Sequence, residues 1–183
     1  MPDESVRVTE AVRSGVPLDE VDPDVLDVNS IRGRRRKTSE ITKRLGNADK
    51  FVWNDLPDRT PPEQHVVLYY CCLKTYRLLF DFHMDVVLPR WRSSDRSLRP
   101  YDVQRFLEER ADNHPVIDSW SATTWEKLRQ VMLKMLREAG LLKEGRLQPV
   151  QLPTAFWARF AKVGGIWFLE ALFLNETQRQ AVV

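Results

Sequence analysis

The side chains able to do chemistry divide into a few reactive groups and two sets of cations. His65, His83 and His114 lie far apart, and none has a second ligand at metal-binding spacing. His83 follows Phe82 in an apolar stretch and reads as a core histidine. Asp81 and Asp85 stand one helical turn apart, a spacing that puts both carboxylates on one face, as paired acid–base work needs. Arg77 precedes them by another turn, which favours salt bridging. Cys71 and Cys72 are adjacent. Helical neighbours point about 100° apart and do not bridge each other, so both are expected to be reduced core thiols. The sequence carries no phosphate loop, dinucleotide fingerprint or nucleophile elbow. No enzymatic activity, metal or cofactor is expected on these grounds.

The cations are better ordered. Arg32, Arg34, Arg35, Arg36, Lys37, Lys43 and Arg44 crowd one stretch against a single acid, Glu40. Guanidinium forks match phosphate oxygens and the guanine edge, and like charges this close repel unless an anion is present. Nucleic acid is the favoured partner. A solvated loop neutralised by the neighbouring acids and an acidic protein partner stay open. Those neighbours are Asp19, Glu20, Asp22, Asp24 and Asp27, so a net charge of +2 conceals a sharp split. The second set is Lys127, Gln130, Lys134 and Arg137, spaced to form one stripe on a helix. It lies opposite Leu128, Val131, Met132, Met135 and Leu136. Arg146 follows in an extended segment. Helix, turn and extended segment is the order of a winged helix, although an ordinary solvated face explains such a stripe as well. The six tryptophans are scattered and read as core and junction residues rather than a base-stacking platform.

The elements that must hold these residues are helical. Seven glycines are few, and eleven prolines fall between apolar runs. Residues 4–14 predict a short helix ending at Gly15, and residues 18–26 a second. The basic stretch 31–37 then leads to a third, capped by Thr38 or Ser39 and closed by Gly46 and Asn47, with Ile41 and Leu45 inward. That is a weak helix-turn-helix pattern. Thr60, Pro61 and Glu63 form a strong start for a helix running to Leu88 and stopped by Pro89. Pro100 opens another, with Val103, Phe106 and Leu107 inward, and His114 and Pro115 close it. Thr123 and Glu126 make a second capping box, Gly140 a glycine stop. Residues 147–152 read as extended, and residues 154–162 and 166–174 as a last helix pair.

This predicts an all-α fold, a compact helical bundle with helix-turn-helix and winged-helix-like elements. Residues 1–58 form an N-terminal helical segment with the basic stretch. Residues 59–183 form a C-terminal bundle with the winged element at about 119–152. At 183 residues roughly 70% of the unfolded surface can be buried without metals or disulfides. No apolar run nears the roughly 20 residues of a membrane span, and residues 1–10 are too polar for a leader. A cytoplasmic protein without membrane partners is expected.

From about Leu73 onward the sequence resembles the BrxA family of bacterial BREX anti-phage defence systems. The likeness rests on residues 74–82 (KTYRLLFDF), 102–110 (DVQRFLEER), His114 with Pro115, Trp120 with Ser121, and 136–142 (LREAGLL), in that order and spacing. The basic segment from Asn29 to Leu45 also resembles a family stretch. The resemblance implies winged-helix-like elements, partial similarity to the antitermination bundle NusB, and binding to double-stranded DNA. It further implies work beside a methyltransferase, an ATPase and a phosphatase-like protein, which would carry the chemistry. A protein-interaction scaffold docking through residues 19–27 and 166–174 is the rival reading, and an RNA-binding module a third.

Overall fold

The structure, a computed structural model, describes residues 2–182. Helix α1 (Pro2–Arg13) ends where Gly15 turns left-handed at φ +102°. The segment expected as a second helix is instead two 3-10 turns, Leu18–Glu20 and Pro23–Val25. Pro23 holds Asp22 extended at ψ 129°, which no continuous helix tolerates.

Helix α2 (Ile31–Gly46) starts well before the expected Thr38 or Ser39. Ser30 caps it, its hydroxyl accepting from the Gly33 amide at 3.0 Å. The basic stretch is therefore helix rather than loop, and Thr38 is a buried residue inside it. Arginine and lysine are good helix formers, and the helical turn separates their charges onto different faces.

After α3 (Lys50–Trp53) and a 3-10 turn at Leu56–Asp58, α4 (Pro61–Thr75) opens on the expected capping box of Thr60 and Glu63. It does not run unbroken to Leu88. Tyr76 is extended at φ −112°, ψ 101°, and α5 (Arg77–Phe82) restarts behind it. A π-helical turn at His83–Val87 leads into α6 (Leu88–Arg92), so Pro89 lies inside a helix instead of ending one. In the wide turn the Leu88 amide reaches back to the His83 carbonyl. That widening makes room for a proline ring that would clash with an ordinary preceding turn.

Helix α7 (Pro100–Ala111) buries Val103, Phe106 and Leu107 as its spacing predicts. A short α8 (Pro115–Asp118) and α9 (Ala122–Glu138) follow. Ser121 caps α9 by accepting from the Thr124 amide, and the expected box of Thr123 and Glu126 does not form. Helix α9 buries Met132, Leu133 and Leu136, while Val131, expected inward, is 46% exposed. Gly140, at φ +77°, closes it: the Leu141 amide reaches the Leu136 carbonyl at 2.9 Å, and Leu141 is fully buried.

The chain then folds into a small hairpin, β1 (Leu142–Lys143) and β2 (Arg146–Leu147), turning on Glu144 and Gly145, both at positive φ. Ser97, ahead of α7, bridges to Arg146 and adds a third strand-like edge. Helices α10 (Thr154–Lys162), α11 (Ile166–Ala171) and α12 (Glu176–Gln180) complete the bundle. One hydrophobic core joins Val8, Ile41 and Leu45 to Val66, Phe82, Phe106, Leu136, Phe160 and Phe168. Among the described residues, no helix is long and apolar enough to cross a membrane.

Candidate nucleic-acid interface

Helical geometry sorts the basic residues of α2 into two groups. Its inner face carries Thr38, Ile41 and Leu45, which are buried. Arg34, Lys37 and Arg44 flank that face and are held by the protein itself. Arg34 pairs with Asp24 at 2.9 Å and donates to the Val28 carbonyl at 3.0 Å. Lys37 donates to Glu4 at 2.6 Å, a bond that holds the Glu4 carboxyl down to about 2. Arg44 donates to Glu40 at 3.1 Å and to the Tyr76 hydroxyl at 2.9 Å. Neutralisation by the acidic segment thus reaches Arg34 through Asp24, and Lys37 and Arg44 use other acids.

The outer face is different. Arg32, Arg35, Arg36 and Lys43, spaced i, i+3, i+4 and i+11, form one exposed stripe with Ser39 between them and no acid in line. Arg32, Arg35 and Arg36 make no ion pair among the described residues, and Lys43 lies 5.5 Å over the Tyr76 ring. This division was readable from the spacing once Ser30 is taken as the cap.

On α9 the expected stripe is exposed but mixed in sign. Gln130 donates to Glu126 at 2.7 Å, and Lys134 lies 3.6 Å from Glu138. Lys127 and Arg137 are exposed and make no ion pair among the described residues. Beyond the glycine stop, Arg146 stands opposite Lys143 in the hairpin, both exposed. Like charges directly across a strand pair destabilise it unless an anion sits between them. The spacing missed Lys143; the tight Glu144–Gly145 turn is the signal that pairs it with Arg146. The two helices approach each other around a cavity of about 290 Å³, lined in part by Arg44 of α2 and Lys134 of α9.

The reactive groups take structural places. His83 is fully buried, bonded through Nδ1 to the Tyr69 hydroxyl at 2.7 Å and through Nε2 to the Ala171 carbonyl at 2.8 Å. Burial lowers its pKa to about 4. Cys71 and Cys72 are free and buried, and burial pushes the Cys72 thiol up to about 11. Asp81 pairs with Arg77 at 2.7 Å and Asp85 with Arg110. Among the described residues, no cluster of three or more potential metal ligands forms.

A family model described as BrxA matches residues 1–162. The chain belongs to the BrxA family. Its match includes α2, whose basic segment shares in the resemblance, and extends over the N-terminal elements ahead of it. Two similar proteins of the family are each named BREX protein BrxA. One, from Bacillus cereus (strain H3081.97), is 25% identical over 123 residues, 67% of this chain and 62% of that protein. The other, from Escherichia coli O9:H4 (strain HS), is 24% identical over 128 residues, 70% of this chain and 60% of that protein. The matched part thus spans about three fifths of the length of these BrxA proteins. A crystal structure of an uncharacterized protein from Magnetospirillum magneticum shares the fold at a TM-score of 0.78 and 20% identity, covering 93% of this chain and 92% of that one.

Proposed function

We propose that this BrxA-family protein binds double-stranded DNA, without catalysing a reaction, as a component of a BREX phage-defence system whose other components are its partners. The observation that carries the reading is the outer stripe of α2. Arg32, Arg35, Arg36 and Lys43 share one face of a 16-residue helix with no acid among them, while the other cations of the same helix are neutralised internally. Such a stripe repels itself in isolation and is relieved by a phosphate backbone, through counterion release. The second support is the order of elements from Ser97 to Leu147. A strand-like edge, three helices and a hairpin returning to that edge support a winged-helix-like reading of this part of the chain. Lys127 and Arg137 lie on the outside of its last helix, and Lys143 and Arg146 at its wing.

The test is a gel shift of the purified protein with duplex DNA and with RNA, at low and high salt. If the four stripe cations each neutralise a phosphate, log K falls with log salt at a slope of about −3.5 for the duplex. Binding that ignores salt overturns the electrostatic reading, and tighter binding to RNA makes this an RNA-binding protein.

A further inference from the structure

The break between α4 and α5 opens a cleft of about 310 Å³, lined by Leu73, Lys74, Thr75, Arg77, Phe80 and Trp167. Its composition is unlike that of the basic stripe. Two half-buried aromatic rings form one part of it: Phe80 and Trp167 meet edge to face at 5.3 Å. Tyr70 stacks on one side of Trp167 at 5.8 Å and supports it from the core. Two exposed cations border these rings. Lys74 makes no ion pair among the described residues. Arg77 pairs with Asp81, but its side chain is 83% exposed. A guanidinium has five donors, so that pair leaves others for a phosphate. Tyr76 links the cleft to the α2 stripe. Lys43, the last cation of that stripe, lies over Tyr76, and Thr75 and Arg77 on either side of Tyr76 line the cleft.

Cations alone would suit any phosphate backbone. Aromatic rings set among cations suit a base whose face is free to stack, which a paired base inside a duplex does not offer. We propose that this cleft takes an unpaired nucleobase, so that the protein prefers duplex DNA flanked by a single-stranded stretch over fully paired DNA. The duplex lies along the α2 stripe, its neighbouring single strand crosses Lys43 and Tyr76, and one base enters between Lys74, Arg77 and the Phe80–Trp167 pair. This rests on the duplex-binding reading above and adds the class of DNA structure that the site selects.

Three fluorescent probes test it with the wild-type chain: a blunt duplex, the same duplex with a thymidine overhang of about six nucleotides, and the same overhang built from abasic sites. The two overhangs carry equal phosphate charge and differ only in bases. The thymidine overhang is expected to bind about tenfold tighter than the abasic one, the gain of stacking one base. Equal affinity of the two overhangs overturns the proposal and leaves duplex binding standing; no binding to any probe removes both. Trp167→Leu should abolish the base-dependent gain while blunt-duplex affinity stays within about twofold. Because Trp167 also packs on Tyr70 in the core, photo-crosslinking of the wild type with a bromodeoxyuridine overhang locates the base without a substitution. The adduct is expected on Trp167 or Phe80, and an adduct confined to another part of the chain overturns the assignment.

Discussion

The Ala171 carbonyl can only accept a hydrogen bond, so the buried His83 ring must carry its proton on Nε2 and accept from the Tyr69 hydroxyl at Nδ1. Both nitrogens are thereby satisfied in the neutral form, and a second proton would reverse the bond to Tyr69 and leave the buried hydroxyl's own proton in need of another acceptor. In the unfolded chain the ring takes a proton near its ordinary value of 6.5, whereas in the fold it resists until about 4. The unfolded state therefore binds more protons between those values, and stability falls as pH drops through 6.5 toward 4. Between pH 6.5 and pH 5, where the carboxylates of the unfolded chain are still mostly ionised, the His83 contribution to the loss is about 1.5 kcal/mol. Urea unfolding at those two pH values measures it. His83→Gln should be less stable at neutral pH, because it fills the two bonds poorly, but its stability should be flat across this window. An equal pH slope in the variant would assign the effect to another group.

At the scale of elements, the proposed function rests on α2, and its charges need separate tests. Replacing Arg32, Arg35 and Arg36 with alanine removes three exposed cations that hold nothing in place. Duplex affinity should fall at least about tenfold, with a change in stability of less than about 0.5 kcal/mol. Replacing Lys127 and Arg137 on α9 should weaken binding less, since Glu126 and Glu138 already temper that face. Arg34→Ala separates the two roles of α2: it loses the pair with Asp24 and the bond to Val28, and its cost of about 1 kcal/mol should appear in stability rather than in affinity. Anisotropy titrations beside thermal melts read both quantities, and a reversed order would make α9 and its hairpin the main DNA contact. Much of this architecture was legible in the sequence. The Thr60–Glu63 start, the Gly140 stop and the inward residues of α7 follow from local rules that tertiary contacts did not override. The start of α2 was misplaced because Thr38 is a good cap by type, yet Ser30 stands earlier and the intervening residues favour helix. The break at Tyr76 has no local signal. It is stabilised by a partner far away in sequence, Arg44 on α2, which bonds the Tyr76 hydroxyl. His83, the first residue of the π turn, is likewise bonded to a residue far away in sequence, Ala171.

Over the whole molecule, one buried charge ties the N-terminal elements to the C-terminal helices. Arg159 of α10 is 7% exposed, and its guanidinium donates to Asp55 at 2.8 and 3.3 Å and to the Val52 carbonyl at 3.3 Å. Asp55 also accepts from Arg59. Burial pushes the Asp55 carboxyl up, and the hydrogen bonds from Arg59 and Arg159 outweigh it, holding the group below the usual carboxylate range. The same part of the chain contributes Val52, Trp53 and Leu56 to the common core. A shared core and a buried ion pair across the two parts of the sequence mean that neither can unfold without exposing apolar surface and charge on the other. The chain should therefore melt in one cooperative transition, with circular dichroism and tryptophan fluorescence coinciding. Arg159→Ala strands Asp55 with one cationic partner and leaves a void under Phe156, over whose ring the guanidinium lies at 4.8 Å. The expected cost is about 2 kcal/mol, below the full value for a buried pair because Asp55 is 36% exposed. Arg159→Met fills the void without restoring the charge and should recover part of the loss. Two separate transitions in the wild type, or a melt unchanged by Arg159→Ala, would mean that the parts before and after Asp58 are stable independently, and DNA bound along α2 would then leave the thermal stability of α10 and α11 untouched.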